Sequence, residues 1–437
     1  MNVQGGRFTV VGAGRSGLAA ANTLAALGAD VCLIDGADKP RPAALDARSE
    51  YRGGTNAVRP GDVAVLSPGI SEVSPVRQEV AAVASEVIGE VELFARLCPA
   101  PIVAITGTDG KSTTTTMIGA IQGASGRPTF VGGNLGNPLT EAVGQLSVEH
   151  IVVAEVSAFQ LTTCDRFHPV VAVVTNISED HLDYHGGYAP YQAAKQRVYA
   201  TMGEGDVVIL NRDDDEISRW TLPVGPSLRW FSIAGADADA TYLDDVLYLY
   251  GRPLMRRDEL PLLGQHNVAN ALAAALAAEA TGVEDAVIKR GLMGYAPLRH
   301  RLQTVATVRG VRWVNDSKAT NPNAAAAGIR AIESPLILLA GGSSKDADFS
   351  EIGALMRART RHAILFGQTR DQLAQAIGEG HPMTRVETLE EAVAIATSLA
   401  GAGDTVLLGP ACASYDQFKS YEHRGDVFCA LVEGLKA

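Results

Sequence analysis

At 437 residues the chain is too long for one hydrophobic core, and its length predicts about three domains. Hydrophobic residues make up 46% of it and charged residues 20%, a globular composition that argues against general disorder. The formal charge of −12, from 37 basic and 49 acidic residues, argues against a nucleic-acid or anionic-membrane surface but permits a locally positive site for a small anion.

The cysteine pattern and the apolar runs bear on the cellular compartment. The five cysteines are Cys32, Cys98, Cys164, Cys412 and Cys429. They include no Cys-x-x-Cys pair, so neither a disulfide framework nor a zinc site is predicted. No apolar run approaches the roughly 18 residues of a membrane span, and no charged leader with an apolar core opens the chain. We therefore expect a protein of the reducing cytoplasm.

The first predicted elements are a strand, a glycine turn, an alanine-rich helix to about Leu27 and a strand ending at Asp35. The turn Gly12-Ala13-Gly14-Arg15-Ser16-Gly17, with an acid roughly 20 residues on, is a dinucleotide fingerprint, and alone it indicates an NAD-dependent dehydrogenase. Only about 95 residues precede the next phosphate loop, so a single half-fold holding one nucleotide diphosphate fits better. A second turn, Ser67–Ile70, is expected to face the same crevice.

An apolar, β-branched strand then runs into Gly107-Thr108-Asp109-Gly110-Lys111-Ser112-Thr113. This pattern predicts a phosphate loop, since the glycines let backbone N–H groups approach an anion and a helix from Thr113 onward directs its positive end at it. Lys111 is expected on the terminal phosphates and Ser112 on Mg²⁺. The common pattern has a glycine where this chain has Ile105, so the loop is a shorter variant. The alternative is an ordinary glycine turn with a solvated lysine.

Two later strands end in groups that suit a magnesium ion. The strand Ile151–Ala154 delivers Glu155, and the strand Val170–Val174 precedes Glu179-Asp180-His181. Because the carboxyl ends of parallel strands meet at one edge of a sheet, Glu155 and His181 are expected beside the phosphate loop as metal ligands. The alternatives are a helix-capping or surface acid and a hydrogen-bonded loop histidine.

The rest of the chain predicts more α/β structure. Tyr191–Tyr199 is expected to be helical, with Lys195 a solvated lysine if it has no special role. Asn267, near the start of an alanine-rich helix, is expected either to bond a purine base or to cap the helix. From about Pro297, apolar strands alternate with helices and end in Asp, Ser, Lys or Thr, which predicts a third doubly wound unit with a polar ligand.

Taken together, these stretches resemble the Mur ligases, the ATP-dependent amide-bond-forming enzymes of bacterial cell-wall precursor synthesis. The resemblance covers essentially the whole chain. The motifs that carry it are Gly107–Thr113, Glu155–Leu161, Glu179–Asp183, Tyr191–Lys195, Gly264–Asn267, His300-Arg301, Asn315–Asn321 and Ser414–Lys419. The first motif and the Asn-Asp-Ser-Lys-Ala-Thr-Asn block are highly specific in combination.

The resemblance implies an α/β fold of three domains. These are a Rossmann-like UDP-substrate-binding domain at 1–96, a central P-loop ATPase-like domain at 97–296 and a Rossmann-like amino-acid-binding domain at 297–437. The implied substrates are ATP, UDP-N-acetylmuramoyl-L-alanine and D-glutamate, with Mg²⁺ as cofactor. No nucleic-acid partner and no membrane span are expected, and the resemblance implies a monomer.

The resemblance also assigns residues to roles. The implied catalytic residues are Lys111, His181 and Lys195, the last as a carbamate formed with CO₂. The implied metal ligands are Ser112, Glu155, His181 and carbamylated Lys195. The implied ATP contacts are Gly107, Thr108, Asp109, Gly110, Lys111, Ser112, Thr113, Asn267, Arg301 and Asp316. The implied UDP-substrate contacts are Gly14, Arg15, Ser16, Asp35, Gly36, Ser67, Gly69, Asn134, Ser157 and Gln160. The implied amino-acid contacts are Lys318, Thr320, Lys345, Ser414 and Tyr421.

The implied reaction is phosphorylation of the L-alanyl carboxylate to an acyl phosphate, followed by attack of the glutamate amine. One alternative is a ligase of the same fold with another amino acid, such as L-glutamate, or of the folylpolyglutamate type. Another is a nucleotide-binding regulatory or NAD-binding protein that has lost its chemistry. The segment Ser414–Gly425 favours the glutamate step.

The chain departs from the family's pattern at three places. Tyr421 stands where the family often has Phe, Ser343-Ser344 where it has Asp-Gly, and Gly36 follows Asp35 where a side chain is expected. The Tyr421 difference bears on the preferred amino acid and its handedness. The other two bear on individual contacts.

Overall fold

The computed structural model of the protein describes residues 1, 3–180, 182–235, 237–296, 299–343 and 348–436, without the side chains of Asp183 and Asn323. Over these ranges the chain divides into two compact units. The first comprises Met1–Leu260 with His266–Tyr295, and the second Pro261–Gln265 with Ala296–Ala437. The domain boundaries at 96 and 296 remain a prediction.

The first unit opens with a parallel sheet. Its elements are β1 (Arg7–Val11), α1 (Arg15–Ala26), β2 (Asp30–Asp35), β3 (Glu50–Gly53), β4 (Val63–Leu66), α2 (Pro75–Val83), β5 (Glu86–Gly89) and α3 (Glu90–Leu97). In the described part of the chain this sheet has five strands in the order β3-β2-β1-β4-β5. The strand order reverses between β1 and β4, which pair in parallel with Val10 opposite Val65. Ligands of such folds bind where the order reverses, outside the carboxyl ends of the strands.

A second sheet of the first unit carries the phosphate loop. Its elements are β6 (Ile102–Thr106), α4 (Lys111–Ser125), β7 (Thr129–Gly133), β8 (Ile151–Glu155), α5 (Ala158–Leu161), β9 (Val171–Val174), α6 (Leu182–His185), α7 (Tyr188–Gln196), β10 (Val207–Asn211), β11 (Ser227–Ser232), β12 (Ala240–Leu243), β13 (Val246–Leu249), β14 (Arg252–Arg256), α8 (Gln265–Ala280) and α9 (Asp285–Met293). Counted over the described ranges, nine strands run in the order β14-β13-β12-β11-β10-β9-β6-β8-β7. Strand β6 therefore lies between β8 and β9, and the ends of these three parallel strands meet.

Burial explains the composition of these strands. Every residue of β6, β8 and β9 is buried, because helices cover both faces of a parallel sheet, and such strands read as continuous apolar runs. In α8 the alanine and leucine residues from Ala271 to Ala278 are buried. Small side chains let this helix pack closely, which agrees with the packed alanine helix that the sequence predicts.

The second unit contains a third sheet. Its elements are β15 (Gln303–Val308), β16 (Val311–Asn315), α10 (Pro322–Arg330), β17 (Leu336–Gly341), α11 (Ser350–Arg359), β18 (His362–Phe366), α12 (Arg370–Ile377), β19 (Met383–Arg385), α13 (Leu389–Leu399), β20 (Thr405–Leu408) and α14 (Tyr421–Gly434). As far as the chain is described, six strands run in the order β15-β16-β20-β17-β18-β19, and β15 and β16 are antiparallel. Strand β20 lies between β16 and β17, so the loops after these three strands meet.

The α/β class predicted from the sequence is confirmed. Two local expectations need correction. The helix after the phosphate loop begins at Lys111 rather than at Thr113, because Gly110 adopts a left-handed conformation and caps it. The strands β12, β13 and β14 form an antiparallel meander that the sequence reasoning did not predict. Within the described ranges, none of the helices combines the length and the apolar composition needed to cross a lipid bilayer.

Candidate active site

The phosphate loop is held open by its glycines. Gly107 has φ of +138° and Gly110 has φ of +80°, backbone conformations that L side chains rarely adopt. A Cβ atom at Gly107 would lie 2.0 Å from Oγ1 of Thr175. From the neighbouring strand end, Asn176 accepts hydrogen bonds from the Thr108 and Asp109 N–H groups, at 3.0 and 2.8 Å. The loop therefore has a defined shape in front of the N-terminus of α4, where anions are favoured.

The loop lysine is held by the loop itself. Lys111 Nζ donates to the carbonyl oxygen of Thr108 at 2.6 Å. The next two residues of the helix, Ser112 and Thr113, are buried. The predicted phosphate and magnesium groups thus sit at the first turn of α4.

Glu155 has the features of a ligand for a hard cation. Its side chain ends β8 and is only 2% exposed. Oε1 accepts a hydrogen bond from Nδ2 of Asn134 at 2.8 Å, while the buried Oε2 has no hydrogen-bond partner among the described residues. An unsatisfied buried carboxylate oxygen is costly unless a cation neutralises it, and Mg²⁺ prefers such oxygen ligands. Glu155 therefore fits a magnesium ion.

The rest of the predicted ligand set is only partly described. Ser112 lies at the start of α4, but His181 lies outside the described residues. Among the residues that the structure does describe, no three His, Cys, Asp or Glu side chains gather as a complete metal site.

Lys195 is not a solvated lysine. It is 2% exposed, and its Nζ donates to the carbonyl oxygen of Gly107 at 2.6 Å and lies 4.6 Å from the centre of the Tyr191 ring. Burial, and next the charge of Lys111, lower the pKa of Lys195 well below the usual lysine value, against the opposing effect of Asp180 and Asp109. A lowered pKa makes a lysine easier to deprotonate, and the neutral amine is its nucleophilic form.

A cavity of about 110 Å³ brings groups with different predicted roles together. Gly107, Lys111, Asn134, Ser157 and Lys195 all line it. The predicted phosphate, metal and UDP-substrate groups of this sheet therefore meet in one place. Ser157 is held there by Gln160, whose Oε1 accepts from the Ser157 N–H group at 2.9 Å in a capping box on α5. The Gln160 side chain thus supports Ser157.

The predicted UDP-substrate turns of the N-terminal sheet lie where its strand order reverses. A Cβ atom at Gly12 would lie 2.7 Å from Cβ of Ser67, so the two predicted turns are in contact. The residues Gly14, Arg15 and Ser16 lead into α1, and Gly69 is exposed beside Ser67. These predicted UDP-substrate residues therefore share one edge of the sheet.

Asp35 stabilises the first turn. Its two carboxylate oxygens accept hydrogen bonds from the N–H groups of Ala13 and Ala37, both at 2.9 Å. These bonds hold the pKa of Asp35 below its usual value. At the adjacent Gly36 a Cβ atom would lie 2.9 Å from Oδ1 of Asn56, so a side chain at this position would displace Asn56.

The sequence reasoning missed Asn270. Its Oδ1 accepts from Oγ1 of Thr114 on α4 at 3.2 Å, and a Cβ atom at Gly110 would lie 2.4 Å from the same oxygen. Its Nδ2 donates to Oδ1 of Asn267 at 3.1 Å. Asn267 is the third residue of α8, so it does not cap the helix. The i, i+3 spacing of the two asparagines, which places them on one helix face, was the available signal.

In the second unit, a buried arginine ties together the loops after β16 and β20. Arg424 is 0% exposed and donates to both Oγ and the carbonyl oxygen of Ser317, at 2.9 Å each, and to the carbonyl oxygens of Cys412 and Ala413, at 3.1 Å each. Burial lowers the pKa of Arg424 to about 10, so it stays charged at neutral pH. Sequence reasoning missed it; the signal was a cation at the core-facing positions of α14, in line with Phe428 and Val432.

This arrangement positions the predicted amino-acid contacts of the second unit. Lys318 Nζ lies 5.6 Å from the Tyr421 ring centre, and the Ser317 hydroxyl donates to the Tyr421 carbonyl at 2.8 Å. The Thr320 N–H group donates to the Lys318 carbonyl. Ser414 is buried in the neighbouring loop. Lys345 and Ser344 lie outside the described residues.

The predicted ATP contacts Arg301 and Asp316 also lie in the second unit. Asp316 is buried and accepts from the Leu302 N–H group at 3.1 Å; burial raises the pKa of Asp316 to about 7. His300 and Leu302, on either side of Arg301, have φ of +63° and +42°. Such strained backbone costs about 1–3 kcal/mol per residue and concentrates at functional sites.

Proteins of known identity match this chain along its whole length. It is 39% identical to the UDP-N-acetylmuramoylalanine--D-glutamate ligase of Salinibacter ruber and 40% identical to that of Pelotomaculum thermopropionicum. Each match covers 98% of this chain and 98% of the relative. The chain belongs to the Mur ligase family. The resemblance inferred from its motifs is therefore confirmed.

Matches to individual domains agree with this membership. Residues 105–278 match the Mur ligase middle domain, and residues 300–412 match the Mur ligase glutamate ligase domain. Residues 7–51 match a model of pyridine nucleotide-disulphide oxidoreductases, and this range includes β1, α1, β2 and the first two residues of β3. In a Mur ligase this short match reflects the nucleotide-binding fold of the N-terminal sheet.

Solved structures share the Mur ligase fold. UDP-N-acetylmuramate-alanine ligase of Thermotoga maritima superposes with a TM-score of 0.63 at 16% identity, over 98% of this chain and 99% of that one. A pseudomurein peptide ligase of Methanothermus fervidus gives 0.62 at 18% identity, over 99% and 100%. These likenesses establish the fold and support the α/β assignment.

Proposed function

We propose that this Mur ligase joins D-glutamate to UDP-N-acetylmuramoyl-L-alanine with hydrolysis of ATP to ADP and phosphate, a step of peptidoglycan precursor synthesis. The observation that carries the proposal is one cavity lined by Lys111, Lys195 and Asn134, the hydrogen-bond partner of Glu155. It is supported by the 39% and 40% identity of this chain to ligases of that name. The chain is an ATP-dependent acid–amino-acid ligase.

In the first step the L-alanyl carboxylate attacks the γ-phosphorus of ATP, the bond to the β-phosphate oxygen breaks, and an acyl phosphate and ADP form. Lys111 and the N-terminus of α4 offset the charge that develops on the transferring group. Asn267, Arg301 and Asp316 contact ATP.

The residues that would hold magnesium are Ser112, Glu155, His181 and the carbamate of Lys195. When bound, the ion neutralises phosphate charge and acts as a Lewis acid. Lys195 would gain its carbamate because burial lowers its pKa, which favours the neutral amine that adds to CO₂. The carbamate then supplies a hard oxygen beside the loop.

In the second step the glutamate amine attacks the acyl phosphate carbonyl, the bond to phosphate breaks, and the amide forms with loss of a proton from nitrogen. The second unit orients glutamate through Lys318, Thr320, Lys345, Ser414 and Tyr421, with cations placed for its carboxylates. The N-terminal crevice holds the UDP part, through the two glycine turns and Asp35.

The proposal includes three further expectations. The domains divide at residues 96 and 296, the enzyme acts as a monomer, and it works in the cytoplasm, where ATP and UDP-linked precursors are present. Sedimentation velocity at several protein concentrations tests the monomer.

The deciding experiment is phosphate release with ATP, Mg²⁺ and UDP-N-acetylmuramoyl-L-alanine, with D-glutamate, L-glutamate or no amino acid. Release that needs D-glutamate is the expected result. Release only with L-glutamate would keep the mechanism and move the specificity, with Tyr421 the first residue to change. No release with either would overturn the proposed substrate.

A further inference from the structure

The turn after β4 is held by α6 through contacts that the proposed reaction does not use. The Tyr184 hydroxyl oxygen lies 2.8 Å from the carbonyl oxygens of both Pro68 and Ile70. The Ser71 hydroxyl donates to the Tyr184 carbonyl oxygen at 2.7 Å. These bonds hold the residues on both sides of Gly69 and come from a segment more than a hundred residues away in sequence. The shape of this turn therefore depends on tertiary contacts.

The Tyr184 hydroxyl acts as a hydrogen-bond donor at neutral pH. Burial raises the pKa of Tyr184 to about 12, so it keeps its proton at neutral pH and shares it between the two carbonyls. In a trans peptide the N–H and C=O groups face opposite ways. With the Pro68 carbonyl bonded to Tyr184, the Gly69 N–H group faces away from it and donates a long hydrogen bond of 3.5 Å to Oγ of Ser67.

The Tyr184 ring belongs to an aromatic cluster that also contains Phe159, His185 and Tyr191. Tyr184 stands 4.1 Å from Phe159 and 4.9 Å from His185, between ring centres. The buried His185 donates from Nδ1 to Glu72 on the same turn, at 2.9 Å. Tyr191 and Phe159 also line the phosphate-loop cavity. The turn is thus connected to aromatic side chains that line the phosphate-loop cavity.

We propose that Tyr184 is a positioning residue for the UDP-linked substrate: it holds the turn Ser67–Ser71 so that the Gly69 N–H group faces the crevice and donates to a diphosphate oxygen. This rests on the proposed function, in which the crevice holds the UDP part. Gly69 is exposed, and Ser67 beside it contacts Gly12 of the first glycine turn. The two turns then approach one diphosphate from adjacent strands, as expected where the strand order of the sheet reverses.

The test is Tyr184→Phe, which keeps the ring and removes the proton. We expect the KM for UDP-N-acetylmuramoyl-L-alanine to rise about tenfold, the scale of one lost hydrogen bond. The kcat and the KM values for ATP and glutamate should change by less than about twofold. Ser71→Ala, which removes the bond from the Ser71 hydroxyl to the Tyr184 carbonyl oxygen, should shift the same KM in the same direction.

Tyr199→Phe is the matched control. Tyr199 is also buried in the first unit, and its hydroxyl has no hydrogen-bond partner among the described residues, so the same chemical change should leave every KM unaltered. Equal behaviour of the two Tyr→Phe variants would overturn the inference. So would a parallel change in all three KM values, which indicates a general structural role.

Calorimetric titration with UDP separates this inference from the proposed function. Weaker UDP binding by Tyr184→Phe than by Tyr199→Phe supports the inference even if the wild type does not use D-glutamate. If the wild type turns over the full substrate and Tyr184→Phe binds UDP as tightly as the wild type does, the inference is contradicted and the proposed function stands.

Discussion

Lys195 donates a hydrogen bond from Nζ to the carbonyl oxygen of Gly107 at 2.6 Å, which places a buried amine inside the phosphate loop. An ammonium group in this position loses the solvation of its charge and faces the charge of Lys111. Both effects lower the pKa of Lys195, so we expect it to be more reactive than an exposed lysine.

Carbamylation of Lys195 is the first prediction. With ¹³C-bicarbonate the wild type should show a carbamate carbon resonance, since burial lowers the pKa of Lys195 and so favours the neutral amine that reacts with CO₂. Lys195→Gln should lose the resonance and most phosphate release. Lys289→Gln, at a partly exposed lysine paired with Glu259, is the control and should keep both. A resonance that survives in Lys195→Gln contradicts the assignment.

Gly107→Ala should damage the phosphate loop. The new Cβ atom would lie 2.0 Å from Oγ1 of Thr175 at a backbone φ of +138°. Strain of about 1–3 kcal/mol predicts about 10- to 100-fold weaker binding of a non-hydrolysable ATP analogue, measured by calorimetry. At Gly123, in the exposed part of α4, a Cβ atom meets nothing within 4 Å. Gly123→Ala should therefore bind normally, and a similar loss in both variants would show that the loop geometry is not the cause.

Arg424→Lys tests the organisation of the second unit. Lysine keeps the charge but presents its donors from a single atom, so it cannot reach Ser317, Cys412 and Ala413 together. We expect the KM for glutamate to rise about tenfold or more, the scale of one charged hydrogen bond, with the KM for ATP little changed. Arg361→Lys, which alters an exposed arginine paired with Asp404, should leave both KM values unchanged. An unaltered glutamate KM in Arg424→Lys would remove the positioning role.

We predict that the stability of the folded protein depends on pH through Asp316. Its folded-state pKa, raised to about 7, means that the folded form binds a proton more tightly than the unfolded chain, so this stabilisation is present at low pH and is lost as pH rises through about 7. The slope reaches at most about 1.4 kcal/mol per pH unit. Thermal unfolding between pH 5 and 8 should show a falling midpoint that Asp316→Asn flattens, because asparagine still accepts from Leu302. Asp371→Asn, at an exposed aspartate, should keep the wild-type slope.

Several parts of the site were readable from local sequence. The phosphate loop, the N-terminal glycine turn and Glu155 at the end of an apolar strand each depend on residues adjacent in the chain, so their geometry follows from turn and strand preferences. Asn270, Arg424 and Tyr184 were not predicted to have roles. Their partners Thr114, Ser317 and Pro68 are distant in sequence, and no local pattern identifies such contacts.

The sequence by itself determined the α/β class, the family and the position of the phosphate loop, because glycine spacing and apolar runs encode strand-turn-helix units directly. Only the tertiary structure decided that Lys195 is buried rather than solvated, that Oε2 of Glu155 lacks a protein partner, and that Tyr184 holds the turn around Gly69. These properties depend on which strands and helices become neighbours. Desolvation and hydrogen bonding, which set the pKa of a lysine or the shape of a turn, arise only from that packing.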